Sequence, residues 1–166
     1  MRPIGLRSVG VWFTCDSFFF QKVGHMDKYE DVERNKELLY QLYEEALNRG
    51  NLALIDELFA PEFVDHSTPG QPPGPAGVKD YFREIREGFP DIQIVLDDVI
   101  AEGDRVVVRT TWRGTHLGGY EGVAATGQRV ARTLIQIFRV VDGLIVEEWN
   151  EGGGLVDALR EKRHGA

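Results

Sequence analysis

The chain has 166 residues, of which 42% are hydrophobic and 28% charged, enough apolar material for one packed core and too much for a disordered chain. Its 27 acidic residues against 19 basic ones leave a formal charge of -8, which repels a polyanion and sets nucleic acid aside as a partner. The single cysteine, Cys15, excludes an internal disulfide and a cysteine-rich metal site and fits a reducing, cytoplasmic compartment, while no run reaches the roughly 18 apolar residues of a membrane span.

The first 25 residues carry Arg2, Arg7 and two apolar clusters, Val9, Val11, Trp12 and then Phe18, Phe19, Phe20. Asp16 separates them and no small-x-small cleavage pattern follows, so the stretch does not read as a signal peptide. It is expected to be a leader ahead of Met26, with a packed N-terminal segment as the alternative. Residues 26–166 are expected to form a single α+β domain.

From Val32 to Arg49, Leu38, Leu39, Leu42, Tyr43, Ala46 and Leu47 recur at spacings of three and four, which predicts an amphipathic helix ended by Gly50. Asn51 is then a cap for a short second helix carrying Leu54, Ile55, Leu58 and Phe59, stopped by Pro61. Residues 63–75 are too rich in proline and glycine for regular structure. Val78, Tyr81, Phe82, Ile85 and Phe89 predict a third helix over Pro75–Gly88.

Beyond Pro90 the text is β-rich, with strands predicted over Ile92–Ala101, Arg105–His116, Arg129–Val141 and Leu144–Trp149. Glu102-Gly103-Asp104 and Asp142-Gly143 are hairpin turns between antiparallel neighbours. The longer Leu117–Gln128 loop is a candidate pocket rim, and Leu155–Lys162 reads as a closing helix. Helices followed by a sheet is the α+β order.

Alternation along a strand separates its faces. Val106, Val108, Thr110 and Trp112 mark the interior face of the second of these strands. The third is apolar on both faces, with Val130, Leu134, Phe138 on one and Ile135, Ile137 on the other, so both should be covered. Helices would cover one, and a second copy of the sheet would make a homodimer through the other. Polar residues sharing a face with large apolar ones require partners or a ligand, since an unpaired buried polar group costs about 1–3 kcal/mol. They are Asp65, His66, His116, Gln136, Glu147, Trp149 and Asn150, with Trp112 beside them. Each also has a structural reading: His66 bonding the proline-rich loop, His116 holding a turn, the tryptophans as core. No third ligand accompanies Asp65 and His66, so no metal site is expected.

Phe63-Val64-Asp65-His66, Gly74 to Phe82, Phe89-Pro90-Asp91, Gly114-Thr115-His116, Ala125-Thr126-Gly127 and Asp142 to Glu147 with Trp149 follow the order of the SnoaL-like polyketide cyclases, which the chain resembles from about Asn35 to Leu159. That resemblance implies the fold of the ketosteroid isomerases and nuclear transport factor two: a cone of curved antiparallel sheet around the N-terminal helices, an α+β barrel with an apolar cavity, often dimeric. It implies no cofactor and a strand carboxylate as acid and base in an aldol closure. The carboxylate position falls on Gln136, which cannot take a proton, and an assisting histidine falls on Glu121 or Tyr120. The acid or base must then be another group, with His66, His116 and Glu121 as catalytic candidates. The expected function is binding of an apolar or aromatic oxygenated molecule with acid/base isomerisation, cyclisation or hydration; the alternatives are a non-catalytic ligand-binding module and an interaction domain with a relic pocket.

Overall fold

A computed structural model describes residues 16–161, with side chains from Tyr29 to Arg160. Most of the expected leader, residues 1–25, lies outside the described residues. The elements run α1 (Asp16–Gln41), a π-helical continuation (Leu42–Asn48), a 3-10 turn (Leu52–Leu54), α2 (Ile55–Leu58), β1 (Phe59–Asp65), α3 (Pro75–Gly88), β2 (Gln93–Glu102), β3 (Arg105–Thr115), β4 (Arg129–Val141), β5 (Leu144–Glu151) and α4 (Leu155–Glu161). This is α+β, as expected. α3 has the predicted bounds, and the two hairpins turn at the predicted sequences.

The first predicted helix is α1 with its wider-wound continuation, and its expected apolar face is the buried one: Leu38, Leu39, Leu42, Tyr43, Ala46 and Leu47. Gly50 ends it at φ +76°, a left-handed conformation that costs glycine little. The second helix is shorter than predicted. Phe59 already belongs to β1, and Pro61 lies within that strand instead of stopping a helix. Proline is tolerated there because β1 is an edge strand in the order β1-β5-β4-β3-β2.

The sheet departs from a purely antiparallel one at that edge, where β1 pairs parallel with β5; the other three pairings are antiparallel. The interior face of β3 is the predicted one, with Val106, Val108, Thr110 and Trp112 all buried. On β4 the same face carries Val130, Gln136, Phe138 and Val140, while Ile135 and Ile137 are 48% and 38% exposed. The helices pack against the interior face around Phe63, Ile85, Phe89 and Ile145.

One irregularity matters for the site. Val140 pairs with Ile145 and Arg139 with Glu147, so Val146 is an extra residue in β5 with no partner on β4. Such a bulge reverses the alternation of everything beyond it. Ile145 faces the core, and past the bulge the inward residues are Glu148 and Asn150, opposite Phe138 and Gln136, instead of Glu147 and Trp149.

Phe63 is fully buried and meets the Phe59 ring edge-on at 4.7 Å. Phe63→Ala should cost about 3–5 kcal/mol in chemical denaturation, as large truncations in packed cores do. Ile135→Ala, on the uncovered face, should cost under about 1 kcal/mol in the monomer.

Candidate functional site

A cavity opens between the interior face of the sheet and the helices. Its walls come from Tyr43 and Leu47 of the π-helical segment, Phe59 and Asp65 of β1, Tyr81 and Phe82 of α3, Trp112 of β3, Gln136 of β4, Glu148 and Asn150 of β5, and Leu155 of α4. Thr68, Gln71 and Gly154 complete the lining. It encloses about 60 Å³, room for several waters but below the roughly 150 Å³ that holds a benzene ring. A ring-sized ligand would fit only if lining side chains gave way.

Four of the residues singled out in the sequence line this cavity: Asp65, Trp112, Gln136 and Asn150. The others do not. His66 turns to the outer side, where its ring stacks on Trp149 at 4.6 Å and its Nε2 lies 3.3 Å from Glu147 Oε1. Glu147 also accepts from Arg139 Nη1 at 2.8 Å, and the Arg105 guanidinium lies 4.7 Å over the Trp149 ring. Glu147 and Trp149 belong to this polar cluster on the outer face because of the β5 bulge, and His66 joins them from the end of β1. His116 is fully buried beneath Phe89, with Nδ1 3.1 Å from Thr126 Oγ1, and burial pulls its pKa down. Tyr120 is buried against Phe89 and the backbone of Gly88, and Glu121 is exposed at φ +45° in the turn beside it.

The residue that sequence reasoning missed is Glu148. The residue is half-buried with its carboxyl turned into the cavity, and desolvation there, reinforced by the negative charge of Asp65, pushes its pKa up to about 8 against the pull of a hydrogen bond from Gln136. Among the described residues, those lining the cavity include no Lys, Arg or His that would hold it ionised. Tyr81 on the opposite wall feels the same environment: burial first, then Glu148, raise its hydroxyl to about 12. At neutral pH the cavity therefore contains a carboxylic acid, able to donate a hydrogen bond.

Gln136 ties that acid to the scaffold. Its Nε2 donates to Glu148 Oε1 at 2.7 Å, while its Oε1 accepts from Tyr43 Oη at 2.7 Å and from Thr110 Oγ1 at 3.2 Å. Thr110 Oγ1 in turn accepts from Trp112 Nε1 at 2.9 Å. Asp65 lies on the same wall, adjacent to Glu148 by strand pairing, and its Oδ1 accepts the Ser67 backbone N–H at 2.7 Å. Ser67 Oγ holds the backbone of Asn150 in both directions, accepting from its N–H at 2.7 Å and donating to its carbonyl at 3.2 Å. The start of the loop and the end of β5 are therefore tied together.

These features are accompanied by a family match. The model of the SnoaL-like polyketide cyclases matches residues 37–153, and the chain belongs to that family. Among solved structures it is similar to TsrD from Streptomyces laurentii, at 29% identity over 78% of this chain and 93% of that one, with a TM-score of 0.70. It is similar to AclR from Streptomyces galilaeus, a candidate hydroxylase, at 31% identity over 80% and 98% of the two chains, TM-score 0.68. IdmH from Streptomyces antibioticus, a candidate polyketide cyclase, shares 32% identity over 78% and 98%, TM-score 0.65. No curated protein sequence matches the chain. The fold is thus shared by proteins assigned to different chemistries, and the site must decide between them.

Burial of Glu148 has a thermodynamic signature. An acid whose folded pKa lies above its unfolded value binds protons more readily in the folded state, so stability is fully present below the unfolded value near 4.5 and is lost as pH rises towards 8. At about 1.4 kcal/mol per unit, wild-type unfolding free energy should fall by several kcal/mol across that window. In Glu148→Gln that slope should largely disappear, leaving the variant more stable than the wild type at pH 8.5; equal slopes in denaturant titrations of the two proteins would contradict this account.

Proposed function

We propose that this protein is a cofactor-free acid/base catalyst for a small apolar or aromatic molecule carrying a carbonyl group. The observation that carries the reading is Glu148, a half-buried residue whose desolvated carboxyl is on the cavity wall and faces the same space as Asp65. Two carboxyl groups in unlike environments divide acid from base. Asp65 removes a proton from the carbon next to the carbonyl. The electron pair of that C–H bond becomes the C=C bond, the π pair of the carbonyl moves to oxygen, and the oxygen takes the Glu148 proton. The product is a neutral enol, with Asp65 protonated and Glu148 ionised. Return of the Asp65 proton to a different carbon is isomerisation, and attack of the enol carbon on a second carbonyl is the ring closure of an aldol cyclase.

The aromatic wall of Tyr81, Phe82 and Trp112, with Phe82 and Trp112 stacked at 5.8 Å, suits a flat ligand. The outer face supports an assembly. Ile100, Val107, Ile137 and Trp149 are successive partners across β2 to β5, an apolar row that a second copy of the sheet would cover. We take the working form to be a homodimer in a reducing compartment.

The reaction is tested by deuterium uptake into the methyl group of acetophenone, followed by NMR in heavy water. The wild type should accelerate exchange above buffer, and Asp65→Asn and Glu148→Gln should each lose roughly 10²-fold or more, the usual worth of a positioned acid or base. The rate should fall as pH rises through about 8, where Glu148 loses its proton. Exchange at the buffer rate, with acetophenone shown to bind, would leave a non-catalytic binding module. The dimer is tested by light scattering at micromolar concentration: the wild type should have twice the mass of Ile137→Glu, and a monomeric wild type removes the assembly from the account.

A further inference from the structure

The hydrogen bonds behind Glu148 form a chain that runs from Trp112 through Thr110 and Gln136 to the acid. An indole N–H can only donate, so Thr110 Oγ1 accepts from Trp112, and the hydroxyl's own proton is directed at Gln136 Oε1. Tyr43 donates to the same oxygen. With both hydroxyl protons directed at its oxygen, the amide as placed turns its N–H groups to Glu148. Glu148 Oε1 then faces an N–H and must accept. Gln136 is the side chain that hydrogen-bonds Glu148, through Oε1, and the carboxyl lines the cavity.

We infer that Gln136 is a positioning residue that keeps the Glu148 proton on Oε2, so that the cavity presents an O–H donor to a ligand carbonyl oxygen and selects carbonyl-bearing ligands over apolar ones of the same shape. The inference rests on the acid role of Glu148 stated above and adds the device that aims it. Were the amide free to turn over, its oxygen would face Glu148. The acid would then donate to Gln136, and the cavity would face only an acceptor. Tyr43 and Thr110 are therefore the anchors of the selection although a ligand need not touch either hydroxyl. All four side chains are well shielded: Thr110 is fully buried, and Tyr43, Trp112 and Gln136 nearly so, which strengthens each bond and raises the cost of a wrong orientation.

The device also accounts for a glutamine at the position where the family resemblance leads one to expect a carboxylate. A carboxylate there would present only acceptors to Glu148 Oε1, and the two acids would share a proton between themselves. An amide offers a donor to one side and an acceptor to the other, which is what a relay ending in an outward-facing O–H requires.

The test uses two probes of one outline, acetophenone and α-methylstyrene, which differ by a carbonyl oxygen against a methylene. Dissociation constants are measured by NMR titration of the full chain. The wild type should prefer the ketone by tenfold or more. Glu148→Leu should bring the ratio near one. The double variant Y43F/T110V keeps Gln136 and Glu148 but removes both anchors. It should lower the ratio several-fold through weaker ketone binding, with α-methylstyrene still bound and a near-ultraviolet circular dichroism spectrum like that of the wild type showing the fold intact. The infrared band of the Glu148 acid, identified by its absence in Glu148→Leu, should shift when acetophenone binds the wild type and not when it binds Y43F/T110V. A ratio lost in Glu148→Leu but unchanged in Y43F/T110V overturns the positioning role and leaves Glu148 as the acid. A ratio unchanged in Glu148→Leu overturns the acid reading itself.

Discussion

Val146 gives β5 one more residue than β4 opposite it, and the contents of the cavity depend on that surplus. Without it, the alternation that buries Ile145 would carry Glu147 and Trp149 inward and leave Glu148 in solvent. With it, Glu147 joins Arg139 and His66 on the outer side, and Glu148 faces Tyr43, Gln136 and the aromatic wall. Bulges recur beside functional sites because they re-aim a side chain without interrupting the sheet. A separate irregularity, between Phe59 and Val64 of β1, lies where β1 joins β5, and beyond it Asp65 pairs with Glu148.

Bringing two carboxyl groups together in an apolar cavity costs stability, and the surrounding structure absorbs it. The acid is held neutral by burial and by the nearby charge of Asp65, and its one strong hydrogen bond comes from an amide that is itself anchored twice. A local sacrifice of this kind, in an otherwise consistent fold, is the expected mark of a functional site. The rest of the domain shows the opposite tendency: the outer-face charges are paired, as in Arg109 with Asp98 at 2.6 Å and Arg139 with both Asp104 and Glu147.

The family connection constrains the scaffold more than the chemistry. Structures at about 30% identity share this cone of sheet and helices, and their assignments already span cyclase and hydroxylase. What separates one member from another is the small set of polar side chains on the interior face. In this chain that set is Asp65, Gln136, Glu148 and Asn150, held in place by Tyr43, Thr110 and Ser67.

Much of the architecture was legible in the sequence because it follows from periodicity. The three-and-four spacing of Leu38 to Leu47, the helix from Pro75 to Gly88, the interior face of β3 and both hairpin turns depend on residues close in the chain. The parallel pairing of β1 was not legible, since it joins residues some 80 positions apart through backbone groups that leave no side-chain pattern. The site divides the same way. Asp65, Trp112 and Gln136 could be picked out as polar or amphipathic groups among apolar neighbours, and Asn150 by its place at the strand end. Glu148 could not, because adjacent glutamates differ only by parity, and parity was reset by an unpaired valine that looks like any other strand residue. The sequence by itself determined the helices, the strands and a pocket with Gln136 in its wall, because each is set by local spacing. Only the tertiary structure decided which carboxylate the pocket contains, because that choice depends on how two strands come into register.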